Sequence, residues 1–199
     1  MNMRVIMLAV LTGFTVTAMA QKVEIPPEEL QELLKVKVRA VQRLAANKVV
    51  IEGVKEQNAR RISLDEIKQL DKEWTSTKEL TSFKKSLQTN PSGAYLKKHV
   101  TRNPTYGEAF LTDNQGANVA AYPATSDYWQ GDEEKWSASF NKGRGKVFVG
   151  PVKYDDSSKT HQAQISVPVM DGNQTIGVLV VGVKLDYIAW KQGRTARRY

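Results

Sequence analysis

The sequence contains no cysteine and only two histidines, His99 and His161, in 199 residues. The first absence excludes a cysteine nucleophile, a thiolate metal site, a thiol redox pair and a disulfide framework. The two histidines lie far apart along the chain. A triad assembles in space, so separation alone does not forbid one. However, no G-x-S-x-G, H-E-x-x-H or phosphate-cradling glycine loop occurs. "GRGKVFVG" (143–150) has the glycines but precedes a strand rather than a helix. After residue 20 no hydrophobic run reaches the roughly 20 residues that span a bilayer. "TIGVLVVGV" (Thr175–Val183) has strand length. These gaps predict no enzyme, no bound metal and no cofactor.

The first 20 residues carry an export pattern. Met1–Arg4 is a short basic start, "VIMLAVLTGFTVTAMA" is an apolar stretch, and Ala18–Ala20 has the small-x-small form of a cleavage site. Cleavage is expected before Gln21, giving a periplasmic or extracellular chain. An uncleaved anchor is the weaker reading, because Val5–Ala20 is short and dotted with Thr and Gly. Residues 21–199 suffice for a hydrophobic core. The balance is basic: 29 Lys and Arg against 21 Asp and Glu, net +8, or +7 once Arg4 leaves with the leader. That favours anionic partners such as acidic ligands, lipid headgroups or an acidic protein face. Export argues against nucleic acid. The one basic cluster, "KQGRTARRY" (Lys191–Tyr199), reads as a solvated tail.

Pro26-Pro27 followed by Glu28 and Glu29 opens a helix. Leu30, Leu34, Val38, Val41 and Ala45 continue it as a stripe, which predicts one long helix over Glu28–Arg60, bent near Gly53. Ser63 with Glu66 is a capping box for a second helix over Ile62–Trp74, with Ile67, Leu70 and Trp74 on its apolar side. Two short helices follow, divided at Asn90-Pro91. After Pro104 the pattern turns to strands: a hairpin around Asp113–Gly116, then Gly145–Asp155, His161–Val169 and Gln174–Ile188. The expected class is α+β, with a long N-terminal helix and short helices packed on a five-stranded antiparallel sheet. A helical insert separates strands two and three. The expected divisions are a leader (1–20), a helical region (21–103), a sheet region (104–190) and the tail (191–199).

Four pieces, in order, resemble a Cache (PDC-type, PAS-like) extracellular sensor domain. They are "EAFLTDNQGANVAAYPAT" as first hairpin, "TSDYWQGDEEKW" as the segment after strand two, "VGPVKYDDSSKTHQAQISVPV" as strands three and four, and "GNQTIGVLVVGVKL" as the last strand. Members of that family usually sit between two transmembrane helices and feed an output domain. This chain has one cleavable leader, so the resemblance implies a free-standing periplasmic sensor. It would bind a small amino acid, carboxylate or amine and act through a partner such as a membrane sensor protein. A homodimer through the N-terminal helix is a further implied partner. The alternative is a structural module that works only through that helix.

The resemblance places the ligand between the sheet and the Tyr122–Trp136 segment. Tyr122, Asp127, Tyr128, Trp129 and Trp136 would wall the pocket, their rings giving apolar surface with polar tips. Asp127 would take an ammonium group, and Arg144 or Lys153 a carboxylate. A plainer reading is set beside it. Ser126 or Asp127 and then Asp132 cap two short helical turns parted by Gly131, while the tryptophans serve as core. "KYDDSS" (Lys153–Ser158) has too few oxygen ligands for a calcium loop and reads as a hairpin turn.

Overall fold

A computed structural model describes residues 27–155 and 160–186. The expected leader, the tip of the 153–158 turn, the end of the last strand and the basic tail lie outside the described residues. Among the described residues no helix is long and apolar enough to cross a membrane.

The architecture is α+β. Five helices come first: α1 (Pro27–Ala45), α2 (Lys48–Ala59), α3 (Leu64–Thr75), α4 (Ser82–Thr89) and α5 (Pro91–Arg102). Strands β1 (Tyr106–Thr112) and β2 (Asn118–Tyr122) form the hairpin, and α6 (Glu134–Phe140) is the insert. Then come β3 (Phe148–Val149), β4 (Lys153–Asp155), β5 (Thr160–Asp171) and β6 (Gln174–Lys184). The sheet is antiparallel in the order β2-β1-β6-β5-β3, with β4 also paired to β5.

Two expectations need correction. The long helix is interrupted at Asn47 and is not bent at Gly53. Asn47 is extended (φ −72°, ψ 137°) and its side chain accepts the Val49 N–H at 3.0 Å, so the asparagine stops α1 and caps α2. Gly53 instead lies inside α2, where the missing side chain lets α5 approach through Ser92. The single strand expected over Gly145–Asp155 is two short pieces. Gly150 still donates to the Gln164 carbonyl at 2.9 Å, but Pro151 has no N–H, and the chain detaches before β4 resumes pairing. The second helix begins as read: Ser63 Oγ accepts the Glu66 N–H at 3.2 Å.

The strands alternate between two faces. Ala109, Leu111, Ile165, Val167, Leu179, Val181 and Val183 point toward α1, α2 and α5 and form the main core with Val41, Val50, Val54 and Leu96. Phe110, Ala121, Val178 and Val180 point the other way, and Trp136 and Phe140 of α6 lie over them. β6 is buried continuously from Thr175 to Val183. The two helices that meet at Asn47 together cover one face, so their junction bears on the core. Asn47→Ala should cost about 1 kcal/mol in urea unfolding, with Asn47→Ser recovering most of it. An alanine variant as stable as the parent would mean the cap does not set the break.

Candidate functional site

The Thr125–Trp136 segment runs along the sheet edge beside β2 and then crosses to the α6 face. Gln130 N donates to the Gly116 carbonyl at 2.8 Å, and Asn118 N to the Tyr128 carbonyl at 3.0 Å. Asp71 on α3 holds it from the other side, its Oδ1 accepting the Tyr128 N–H at 2.7 Å and the Trp129 N–H at 3.0 Å. Asp71 gave no signal in the sequence, where it is one more acid on a solvated helix.

This path separates the residues expected to share a pocket. Tyr122 is on the helix-covered face, with the Lys97 ammonium 5.4 Å from its ring centre. Tyr128 is 2% exposed and packs with Trp74 and Phe83 in a second small core, where Trp129 joins it. Trp129 Nε1 donates to the Gln115 carbonyl at 2.8 Å. Asp127 is engaged inside its own loop by Ser126 and by the Gln130 amide. Trp136 stacks on Phe140 at 4.8 Å on the opposite face. Arg144 is exposed just after the end of α6. The single pocket roofed by Tyr122–Trp136 is therefore not formed: its aromatic walls are divided among three cores. The expected caps are corrected too. No helix starts at Ser126 or Asp127, and Glu133, not Asp132, precedes α6 without a side-chain cap bond.

Among the described residues two concavities stand out, and they differ in chemistry. The first, about 440 Å³, lies on the α6 side of the sheet beyond the end of α6. Its lining residues Glu108, Gln164, Gln162 and Lys153 belong to two adjacent rows of the sheet. Glu108, Gly182 and Gln164 are paired across β1, β6 and β5 in one row, and Lys184, Gln162 and Lys153 across β6, β5 and β4 in the next. Gly150, Pro151 and Tyr154 form its rim. Gln164 Nε2 donates to Glu108 Oε1 at 2.8 Å, so the carboxylate is laid across Gly182. A Cβ at 182 would stand 2.7 Å from Glu108 Cγ. Of the seven expected residues, Lys153 is here. Glu108 went unread because it meets Gln164 only through strand register.

The second concavity, about 630 Å³, is a groove on the other face. It runs between α2 and α4 over Val119 and Tyr128, and is walled by Val49, Ile62, Leu70, Phe83 and Leu87. At its floor Gln57 donates to the Tyr128 hydroxyl at 3.3 Å. Asp113 behind it is 3% exposed, and burial pushes its carboxyl up despite N–H donors from Gln115 and Ala117. Among the described residues no cluster of three His, Asp or Glu could hold a metal ion.

No family model matches the chain, and no curated protein matches it. Solved structures do. The ligand-binding domain of the Pseudomonas aeruginosa amino acid chemoreceptor PctC, in complex with GABA, is 14% identical with a TM-score of 0.49. The match covers 82% of this chain and 58% of that one. The sensory domain of a Campylobacter jejuni chemoreceptor with isoleucine bound is 17% identical, TM-score 0.40, over 87% and 69%. The sensor domain of the V. cholerae histidine kinase DctB is 16% identical, TM-score 0.39, over 85% and 62%. This chain thus spans about three fifths of the first of them. The likeness is one of architecture.

Burial, and then the nearby Asp113 charge, push the Tyr128 phenol up to about 12. An unfolded tyrosine ionises near pH 10, roughly two units lower. The native state therefore holds this proton more tightly. Stability from it is full below pH 10 and is lost as pH rises toward 12. Tyr128→Phe should flatten that alkaline loss by about 2 kcal/mol at the upper end. Parallel alkaline curves for the two proteins would contradict the assignment.

Proposed function

We propose that this chain is an exported, non-catalytic sensor domain that binds a small charged metabolite in the polar cleft and acts through a partner protein. The ligand is an amino acid, carboxylate or amine. The cleft carries the reading: Glu108, pre-oriented by Gln164 over Gly182, shares it with Lys153. A carboxylate held this way accepts an ammonium group through charge-assisted hydrogen bonds. Lys153 offers a point charge to a carboxylate at the rim. The cleft's size lies within the few hundred Å³ of small-molecule sites. The ordered Cache-like segments and the export pattern of residues 1–20 support the compartment and the sensing role.

A second reading has its own observation. Val36 on α1 is 64% exposed among basic neighbours, which suits pairing through the N-terminal helix. That module would dimerise in a concentration-dependent way, Val36→Glu would disperse it, and no metabolite would alter it.

The sensor reading is tested by thermal denaturation with a panel of amino acids, carboxylates and amines. A hit at a hundred times its Kd adds about 2.7 kcal/mol of stability. Glu108→Gln should remove the gain from ammonium-bearing hits, and Lys153→Met the gain from carboxylates. A wild-type protein that responds to nothing in the panel, or hits indifferent to both variants, would sink the proposal.

A further inference from the structure

The apolar groove between α2 and α4 is poorly matched to a small charged metabolite. Its walls are Val49, Ile62, Leu70, Phe83 and Leu87, and its charges are confined to the edge. An apolar centre with a polar rim is the anatomy of a protein interface. Val49 is 37% exposed, and the other walls are only partly covered.

The rim has a definite pattern. Lys48, Glu52, Glu56 and Arg60 follow one another at every fourth position from the first residue of α2 to its C-cap, and all line the groove. All four are exposed. At 1.5 Å per residue they mark points about 6 Å apart over about 18 Å. The order is base, acid, acid, base. Glu52 and Glu56 are like charges on adjacent turns, an arrangement that weakens a helix by itself. Glu52 has only a long contact to Lys55, at 3.9 Å, while Lys48, Glu56 and Arg60 make no ion pair among the described residues.

We infer that this groove is the docking site for one amphipathic helix of a partner protein, whose edge carries acid, base, base, acid at the same spacing. Apolar side chains on the partner's inner face at i, i+3, i+4 and i+7 would fill the groove between Val49 and Phe83. Charge argues against a second copy of this chain. A two-fold pairing of α2 with itself sets Lys48 against Arg60 and Glu52 against Glu56, like on like at every step. The inference rests on the proposed sensor reading only in supplying the partner which that reading requires. It places the partner on the sheet face opposite the ligand.

Two synthetic helical peptides of about 15 residues test it, alike in their apolar face and differing only in rim order. By fluorescence anisotropy at low salt, the acid–base–base–acid peptide should bind about tenfold tighter than the base–acid–acid–base one. Exchanging all four exposed charges (Lys48→Glu, Glu52→Lys, Glu56→Lys and Arg60→Glu) should invert that preference. Val49→Glu should abolish binding of both, with circular dichroism and melting unchanged. Equal affinities, no binding, or an uninverted preference would overturn the inference. So would a concentration-dependent dimer dispersed by Val49→Glu, which would assign the groove to a second copy. None of these readouts uses a small metabolite, so they fail or succeed separately from the ligand panel.

Discussion

Among the described residues β6 has the longest unbroken run buried on both faces, and the rest of the molecule is arranged to keep it so. From Thr175 to Val183 every residue is buried, with alternate side chains entering opposite cores. Burying apolar area gives about 25 cal/mol per Å², so a two-sided apolar strand drives the recruitment of a cover on each side. α1 and α2 supply one cover along most of its length. α6 supplies the other and is only seven residues long.

The shortness of α6 has a local cause. Asn141 (φ 49°) and Lys142 (φ 55°) are left-handed, and the chain turns away at once through "NKGRG". Trp136 and Phe140 cover the row that runs through Ala121, Phe110 and Val180, and nothing from α6 extends further along the sheet. The rows beyond it cannot be apolar and still face water. They carry Glu108, Gln164, Gln162, Lys153 and Lys184 instead. The cleft and its charges are one consequence of a two-sided strand under a one-and-a-half-sided cover. Gly182 marks the boundary, since a side chain there would fill the space that the Glu108 carboxylate occupies.

Local signals carried well from sequence to structure. The Ser63 cap, the Asn90-Pro91 divide and the Asp113–Gly116 turn act through neighbours within a few positions, and each appears as its chemistry requires. Asn47 gives only a weak sequence signal because the apolar stripe continues on both sides of it, and the period outweighs a single capping residue. The "TSDYWQGDEEKW" segment misled for another reason. Its aromatic density suggests one site, but the segment passes from the β2 edge, where Tyr128 and Trp129 enter one core, to α6, where Trp136 enters another. Tyr128 and Trp136 end in different cores. Glu108 and Gln164 lie 56 positions apart and meet only by strand register, which one sequence does not display.

The molecule has its charged cleft on one face of the sheet and an apolar, charge-rimmed groove on the other. Phe110 and Leu111 of β1 belong to the two opposite cores, so a change on one face bears on a strand that both share. The central claim is that the metabolite binds on the α6 side. Amide chemical-shift mapping with an active compound from the stability screen tests it most directly. The account predicts the largest shifts at Glu108, Gly182, Gln164 and Lys153. Shifts concentrated on α2, Val119 and Tyr128, with the cleft unmoved, would contradict it.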